Sequence, residues 1–231
     1  QEKAEKGYCP AEQGSRCFQS IKAVCDTTET VLAEKTLSGD SHCANGIIDF
    51  IKPWLDRLSK KMDHVKLRLD AGFYSDALIT FLESYSNVSC EISVPQHKWL
   101  HDKVRRLDYR SYYHSQRQYA SWAYGEGLNG ALPYYYVERS AKEAGSQLEL
   151  CDANQYNYRV VISNRERRPN VIFTSYNKRA RVEKHIEELK NQYGLGKLVS
   201  GCFDVTKAFC WLSHLTLLLS ACCVRLRFAE I

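Results

Sequence analysis

The chain has 231 residues, and its 32 lysines and arginines against 27 aspartates and glutamates give a formal net charge of +5. A hydrophobic fraction of 44% excludes an intrinsically disordered protein. The length allows one large domain or one domain that carries an insertion. The mildly basic charge is compatible with a phosphate-bearing partner but does not require one.

The cysteine pattern bears on whether the protein belongs to a reducing or an oxidising compartment. The chain contains 10 cysteines but no Cys-x-x-Cys pair, which excludes the usual spacings of zinc ribbons and zinc knuckles. The charged residues 1–6 are not followed by the apolar core of a signal peptide. We therefore expect a protein of a reducing compartment, with a secreted disulfide-bonded protein as the alternative.

The first predicted elements are a hairpin and a helix. Residues 17–25 and 30–38 predict two strands, because a polar turn separates two β-prone runs. Apolar residues then recur at helical spacing over residues 44–61. Pro53 should kink or split that helix.

Residues 65–94 predict a strand, a helix and a second strand. Apolar and polar residues alternate over 65–70, the period-two pattern of a half-buried strand. Ser75 can cap a helix that ends near Ser84, and Pro95 stops the strand that follows. This order of elements favours a βαβ unit with parallel strands and a right-handed crossover.

Residues 97–170 predict a β-rich insertion, because strand-like runs alternate there with polar loops. The strongest strand patterns are the runs at 134–137 and 158–162. A patterned helix over residues 175–193 follows, ended by glycines.

An apolar helix is predicted over residues 205–226. Its segment 208–224 is 17 residues long and contains only His214 as an ionisable residue, which is at the short limit for a membrane span. We expect this segment to be buried in a globular core.

Two stripes run along the predicted helix 175–193. The apolar stripe consists of Val182, Ile186, Leu189 and Tyr193. The second stripe, about 80° around the helix, consists of Tyr176, Arg179, Glu183 and Lys190. Taken alone, such a charged stripe is typical of a solvated helix face.

Asp70 favours a functional interpretation of this stripe. A carboxylate that follows a strand of an open α/β sheet lies at the edge where ligands bind. Asp70 and Glu183 would supply two carboxylates from distant segments, as hard divalent cations require. Flanking cations can hold phosphates, which indicates two-metal phosphoryl transfer. We therefore expect Asp70 and Glu183 to converge.

These residues resemble the motifs of a known family. The pattern Y-x2-R-x3-E-x6-K, which begins at Tyr176, resembles the YREK signature of bacterial insertion-sequence transposases of the DDE class. The stretch RLDAGFYSDAL around Asp70 is similar to the second-aspartate motif of that family. The stretches SGDSHCANGIIDFI and SYNKRARVEKHIEELKNQYGLG are similar to the loop and helix before that motif and to the third-acid helix. The resemblance covers most of the chain.

The resemblance implies an α/β fold with a ribonuclease H-like mixed sheet and a β-rich insertion before the last catalytic helix. It divides the chain into an amino-terminal part of the catalytic core at residues 1–96, the insertion at 97–170, and a carboxy-terminal helical part of the core at 171–231. It also implies cutting and joining of DNA at transposon ends.

The resemblance assigns roles to five residues. Asp70 and Glu183 would be the second and third ligands of Mg²⁺, for which Mn²⁺ can substitute. Tyr176, Arg179 and Lys190 would contact the terminal phosphates and help to hold a flipped base near the cut.

We find no candidate in this chain for the family's first metal-binding aspartate. It lies on an opening strand before the hairpin, whereas Asp26 and Asp40 are interpreted here as turn and loop residues. We expect the first strand and its ligand to be missing, as in a fragment or a decayed element copy, so that the chain alone binds DNA weakly without cutting it. The alternatives are a non-catalytic DNA-binding remnant of a transposase and a related ribonuclease H-like nuclease.

A second candidate surface lies at residues 98–124, where basic and aromatic residues interleave. Arg105, Arg106, Arg110 and Trp122 are its candidate DNA-binding residues, because cations bind phosphates and aromatic rings stack on unpaired bases. The alternative is a solvated helix whose aromatic residues pack inward.

The expected partners follow from the resemblance. We expect DNA at transposon ends, a homodimer in the intact enzyme and no membrane. The expected location is the bacterial cytoplasm, in association with the nucleoid.

Overall fold

The computed structural model describes residues 5–6, 16–28, 30–41, 44–112, 116–123, 133–142, 155–195 and 200–229. The chain divides into two compact units, one within residues 1–46 and 178–231 and the other within residues 47–177. Tyr113 and Tyr124 of the basic and aromatic segment 98–124 lie outside the described residues, as does Gly196, one of the glycines that follow the predicted helix 175–193.

The described residues form nine strands and six helices. The strands are β1 (Glu5–Lys6), β2 (Arg16–Cys25), β3 (Thr30–Ser38), β4 (Val65–Leu69), β5 (Val88–Ser93), β6 (Arg110–Ser111), β7 (Gln118–Ala123), β8 (Tyr134–Ala141) and β9 (Tyr156–Ser163). The helices are α1 (Ile47–Leu58), α2 (Asp76–Glu83), α3 (Lys98–Arg105), α4 (Pro169–Tyr176), α5 (Ala180–Gln192) and α6 (Phe203–Ala229). Two 3₁₀ turns, Ala71–Phe73 and Asn177–Arg179, come before α2 and α5.

The unit of residues 47–177 contains a six-stranded mixed sheet of order β4-β5-β9-β8-β7-β6. β4 and β5 are parallel, and every other pair of neighbours in this sheet is antiparallel. The chain passes from β4 to β5 through α2, and the Ser75 Oγ accepts a hydrogen bond from the Leu78 backbone N–H at 3.3 Å. The predicted βαβ unit and its cap are confirmed.

The strands predicted within residues 97–170 extend this same sheet. β9 pairs with β5, with Ile162 opposite Ile92, and β8 pairs with β9. The strand runs at 134–137 and 158–162 lie in β8 and β9, as predicted. The domain boundaries themselves stay a prediction.

Two helices of this unit differ from the sequence expectations. α1 is shorter than the predicted 44–61, and Pro53 stands inside it without ending it. α3 lies within residues 98–124, where a solvated helix was only the alternative prediction, because its apolar face is narrow. Leu100 and Val104, one turn apart, are both 1% exposed and anchor α3 on the unit.

α4 packs on one face of the sheet. Tyr136 of β8 and Val161 of β9 contact Phe173 and Tyr176 of α4, and each of these four residues is at most 4% exposed. Burial of these large side chains is the main force that holds α4 in place.

A buried carboxylate lies beside this core. The Glu138 side chain on β8 is 5% exposed, and its oxygens lie 3.2 Å from Arg117 Nη1 and 3.1 Å from Arg159 Nη1. Arg159 Nη2 also donates to Asn177 Oδ1 at 2.9 Å. A carboxylate this buried requires its cationic partners, so the cluster ties β7, β8 and β9 to the end of α4.

The second unit combines a small antiparallel sheet, of order β1-β2-β3, with α5 and α6. β2 and β3 form the predicted hairpin, with Phe18 opposite Ser38 and Cys25 opposite Thr30. Arg181 Nη1 of α5 contacts Asp26 Oδ1 at 2.7 Å. Asp26 is therefore a turn residue, as expected, and it connects the hairpin to α5.

α6 packs on the hairpin through a buried charged cluster. Glu34 of β3 lies 3.7 Å from Lys22 Nζ and also contacts His214 Nδ1 of α6. All three side chains are at most 7% exposed. Burial lowers the pKa of Lys22, while the Glu34 carboxylate opposes that shift. The hairpin side of α6 is thus held by polar contacts.

The opposite side of α6 is apolar and exposed. Trp211, Leu212, Leu215 and Leu219 are each at least 50% exposed. The expectation that segment 208–224 is buried throughout is therefore wrong for this side, because a helix that is apolar all round gives no sequence signal for the side it turns to solvent. Within the described residues, no helix has both the length and the apolar character that a membrane crossing needs.

The reactivity of two cysteines tests the burial of β5. Cys90 on β5 is 2% exposed, and burial raises its pKa to about 12, whereas Cys202 is exposed. Because the thiolate is the reactive form, we expect iodoacetamide at mildly alkaline pH to label Cys202 and to leave Cys90 unmodified until the chain is unfolded. Peptide mass spectrometry measures both sites. Labelling of Cys90 in the folded chain at the rate of Cys202 would contradict the burial of β5.

Candidate active site and nucleic-acid interface

Asp70 lies at the carboxyl end of β4, directly after Leu69. Its Oδ1 accepts a hydrogen bond from the Ala71 backbone N–H at 2.8 Å and so caps the 3₁₀ turn Ala71–Phe73. The residue is exposed. The local sequence explains this placement, because a strand followed by an Asp cap and small residues ends in a tight turn. The turn holds the carboxylate at the carboxyl edge of the parallel pair.

The same face of the sheet carries a buried ion cluster next to Asp70. The alternation of β4 places Lys66 and Arg68 on the Asp70 side, and Arg68 lies opposite Glu91 of β5. Glu91 is 2% exposed, with Lys66 Nζ at 3.3 Å and Arg68 Nε at 3.5 Å from its oxygens. Both cations also reach the Ser175 Oγ of α4, at 3.2 and 3.3 Å. The Glu91 carboxylate is thus balanced by protein cations.

Tyr176 is attached to the strand that carries Asp70. Its side chain is buried, and its hydroxyl donates to the Leu69 carbonyl at 3.2 Å. The hydroxyl therefore supports the backbone of the residue just before Asp70. Contact with a DNA phosphate, as the resemblance implies, would require the ring to leave this position.

Glu183 lies in the first turn of α5, in the other unit. Its side chain is 61% exposed, and its Oε1 lies 2.8 Å from Arg179 Nη2. A carboxylate in the first helical turn is stabilised by the helix dipole as well as by this cation. Lys190, two turns further along α5, is exposed. The structure thus brings Arg179 to Glu183 as the charged stripe predicted.

The single helix predicted over 175–193 is wrong in one respect. α4 ends at Tyr176, the 3₁₀ turn Asn177–Arg179 follows, and α5 begins at Ala180. A 3₁₀ turn advances the chain by about 120° per residue instead of about 100°. Tyr176 therefore does not continue the exposed stripe of Glu183 but belongs to the core under α4.

The cations of the predicted DNA surface are exposed. Arg105 is in the last turn of α3, Arg106 caps that helix, and Arg110 is on the edge strand β6. Lys98 and Lys103 of α3 are exposed as well. These side chains form a basic surface around α3 and β6.

Most of the aromatic residues that the structure describes in this region pack inward, as in the alternative interpretation. Tyr119 is 9% exposed and lies in the core under α4, with Tyr112 at 5.8 Å between ring centroids. The ring of Tyr109 covers the Arg139 guanidinium, at 3.8 Å from its centroid. These rings stabilise the sheet and are not presented to a ligand.

Trp122 belongs to a separate aromatic group on the other face of the sheet. Its ring stacks on Tyr135 at 4.8 Å with an interplanar angle of 14°. Trp99 of α3 meets the same Tyr135 edge-on at 6.3 Å and is 46% exposed. Trp99 is not among the predicted DNA-binding residues, although its position between basic residues of α3 could have marked it.

No cluster of three His, Cys, Asp or Glu side chains suited to a metal ion is found in the part of the chain that the structure describes. The two acids of the candidate site, Asp70 and Glu183, belong to different units. Each is an exposed carboxylate, and carboxylate oxygens are ligands that hard divalent cations accept.

Comparison with known proteins gives a family match and a likeness to solved structures. A family model described as a transposase DDE domain matches residues 1–219. Among solved structures, the piggyBac transposase in a synaptic complex with hairpin DNA is similar in fold, with a TM-score of 0.52 and 12% sequence identity. The match covers 92% of this chain and 43% of that transposase. No curated protein sequence matches the chain. The mixed α/β architecture and this likeness agree with the expected ribonuclease H-like class.

Proposed function

The chain belongs to the transposase DDE domain family, and from that membership we propose that it is the catalytic domain of a DNA transposase, or a fragment of one. Its reaction would be the metal-dependent cleavage of DNA and strand transfer at transposon ends. The observation that carries the proposal is the position of Asp70, exposed at the carboxyl end of a parallel strand, within a family match that also includes Glu183.

Asp70 and Glu183 would hold Mg²⁺, with Mn²⁺ as a substitute. The ion, when bound, would supply Lewis-acid stabilisation of the attacking and leaving oxygens of a phosphodiester. The protein supports this site in two ways. The backbone before Asp70 is held by the Tyr176 hydroxyl, and Arg179 holds the Glu183 carboxylate in one orientation. Arg179 and Lys190 would bind phosphate oxygens near the cut.

DNA is the proposed partner, and the basic surface around α3 and β6 is its proposed contact. Five exposed cations there favour the phosphate backbone. Trp99 and Trp122 offer rings on which an unpaired base can stack. The homodimer and the bacterial cytoplasmic location belong to the same proposal.

We expect the triple variant R105A/R106A/R110A to bind duplex DNA more weakly and with less salt dependence. The slope of log K against log salt should fall by about three, because each lost phosphate contact removes about one counterion. Fluorescence anisotropy at several salt concentrations measures this slope. The matched control K52A/K60A/K61A removes three exposed cations, one within α1 and two just after it, and should leave the slope unchanged. An equal change in both variants would exclude a specific surface.

A non-catalytic DNA-binding remnant is the alternative function. Nicking of a transposon-end duplex in Mg²⁺ or Mn²⁺ separates the two, with E183Q as the matched variant. Nicking that is lost in E183Q supports the catalytic function, and it would also contradict the expectation that the chain alone does not cut. Salt-sensitive binding of DNA without nicking supports the non-catalytic DNA-binding remnant.

A further inference from the structure

A cluster of hydrogen-bond donors lies beside Asp70, outside the proposed metal site. Its members are Lys66 and Arg68 of β4, Ser175 of α4 and Glu91 of β5. Two cations face one carboxylate, so the cluster carries an excess positive charge. The Lys66 side chain is 38% exposed and the Arg68 side chain 16%, whereas that of Glu91 is 2% exposed. The positive charge therefore lies toward solvent with the negative charge beneath it, which favours an anion at the surface of the cluster.

The contacts of Lys66 leave it able to bind a ligand. Its Nζ lies 3.3 Å from a Glu91 oxygen, which is longer than the roughly 2.7–2.9 Å of a well-formed charge-assisted hydrogen bond. The pair of Arg181 and Asp26, at 2.7 Å, is such a bond. An ammonium group has three N–H donors. Among the described residues, Glu91 and Ser175 take two of them, so that one donor of this exposed cation remains for a ligand.

The Ser175 hydroxyl supplies a second donor at the same place. Its oxygen accepts hydrogen bonds from Lys66 Nζ at 3.2 Å and from Arg68 Nη2 at 3.3 Å. A hydroxyl has two acceptor lone pairs and one O–H donor. Because the two cations use both lone pairs, the O–H of Ser175 is directed away from them. A ligand oxygen above Ser175 would receive this O–H and an N–H of Lys66 together, and a phosphate group offers such oxygens.

The alternation of β4 relates this cluster to the metal site. Lys66, Arg68 and Asp70 lie on one side of the chain, and β4 is extended as far as Asp70. At about 3.3 Å per residue, Lys66 is roughly 13 Å from Asp70 along the strand. In the part of the chain that the structure describes, β4 is the edge strand of its sheet. A DNA strand with one phosphodiester at Asp70 can therefore continue along β4 and place another phosphate at Lys66.

We propose that Lys66 and Ser175 form a phosphate subsite for the DNA strand that lies at Asp70, with Arg68 as its second cation. The ligand is the phosphodiester backbone, so the contact is independent of base sequence. This inference rests on the proposed function and deepens it, because it adds a DNA contact beside the metal site to the basic surface around α3 and β6. Glu91 limits the affinity of the subsite, since it offsets part of the positive charge.

Fluorescence anisotropy with a short labelled DNA duplex tests the subsite, in Ca²⁺ as the hard cation and at several salt concentrations. K66Q should lower the slope of log K against log salt by about one, because one phosphate contact is lost. S175A should weaken binding by about two- to tenfold, the usual effect of one hydrogen bond. The matched control K61Q changes an exposed lysine that follows α1 and should alter neither quantity. Circular dichroism checks that the variants are folded.

E91Q separates DNA binding by Lys66 from a purely structural role. A lysine that served only to balance Glu91 would leave DNA affinity unchanged in E91Q. We expect E91Q instead to bind the duplex about two- to fivefold more tightly, because the cations lose an opposing charge. K66Q/E91Q should return the affinity to about that of the unchanged chain.

The outcomes distinguish this inference from the proposed function. Unaltered DNA binding in K66Q and E91Q, by a chain that does bind DNA, would overturn the phosphate subsite alone. An unchanged chain without salt-sensitive DNA binding would contradict the proposed function, and the subsite with it.

Discussion

Removing both arginines that contact Glu138 is expected to destabilise the fold by about 3–5 kcal/mol, the usual effect of leaving a buried charge without its partner. In the variant R117A/R159A the Glu138 carboxylate, 5% exposed, loses both salt-bridge contacts at once. The hydrogen bond from Arg159 to Asn177 at the end of α4 is lost as well. The free energy of unfolding from urea denaturation measures the effect.

Two further variants identify the cause. Adding E138Q to R117A/R159A removes the buried charge, and we expect the triple variant to recover a large part of the lost stability. R57A/R106A, which removes two exposed arginines, should change the free energy of unfolding by less than about 1 kcal/mol. An undiminished loss in the triple variant would show that packing of the arginines, and not the charge of Glu138, dominates.

Metal binding is the second large expected effect. D70N and E183Q should each weaken Mn²⁺ binding by about tenfold or more, because each removes one anionic oxygen ligand from a site that has few. The electron paramagnetic resonance signal of free Mn²⁺ measures the bound fraction during a titration.

The chain offers matched controls for both carboxylates. Asp76 lies six positions after Asp70 at the start of α2, and Glu187 lies one turn after Glu183 on α5, and both are exposed. D76N and E187Q should bind Mn²⁺ as the unchanged chain does. Equal losses in D70N and D76N would indicate that general negative charge, not a site, attracts the ion.

The elements with a strong local signal could be predicted from the sequence. The alternation over 65–70, the Ser75 cap and Pro95 together determine the βαβ unit, and the structure contains it with the predicted bounds within two residues. The hairpin of β2 and β3 could also be predicted from the sequence, because a polar turn separates two β-prone runs. Asp70 could be placed at a strand end for the same reason.

Other features depend on tertiary contacts that no local pattern contains. The break between α4 and α5 is not visible in the apolar spacing, since Tyr176 fits a continuing helix but is held instead by the core and by the Leu69 carbonyl. The burial of Tyr112 and Tyr119 depends on α4, which lies far away in sequence. The exposed side of α6 could not be distinguished from its buried side, because both contain apolar residues.

Asp70 and Glu183 are proposed to bind one and the same metal ion. Fe²⁺ in place of Mg²⁺, with ascorbate and peroxide, generates hydroxyl radicals that cut the backbone only near the bound ion. Mass spectrometry of the fragments should show cuts near residue 70 and near residue 183, suppressed by excess Mg²⁺, and both cuts should be lost in D70N. Cuts at only one of the two positions, or cuts near 183 that persist in D70N, would contradict a shared ion.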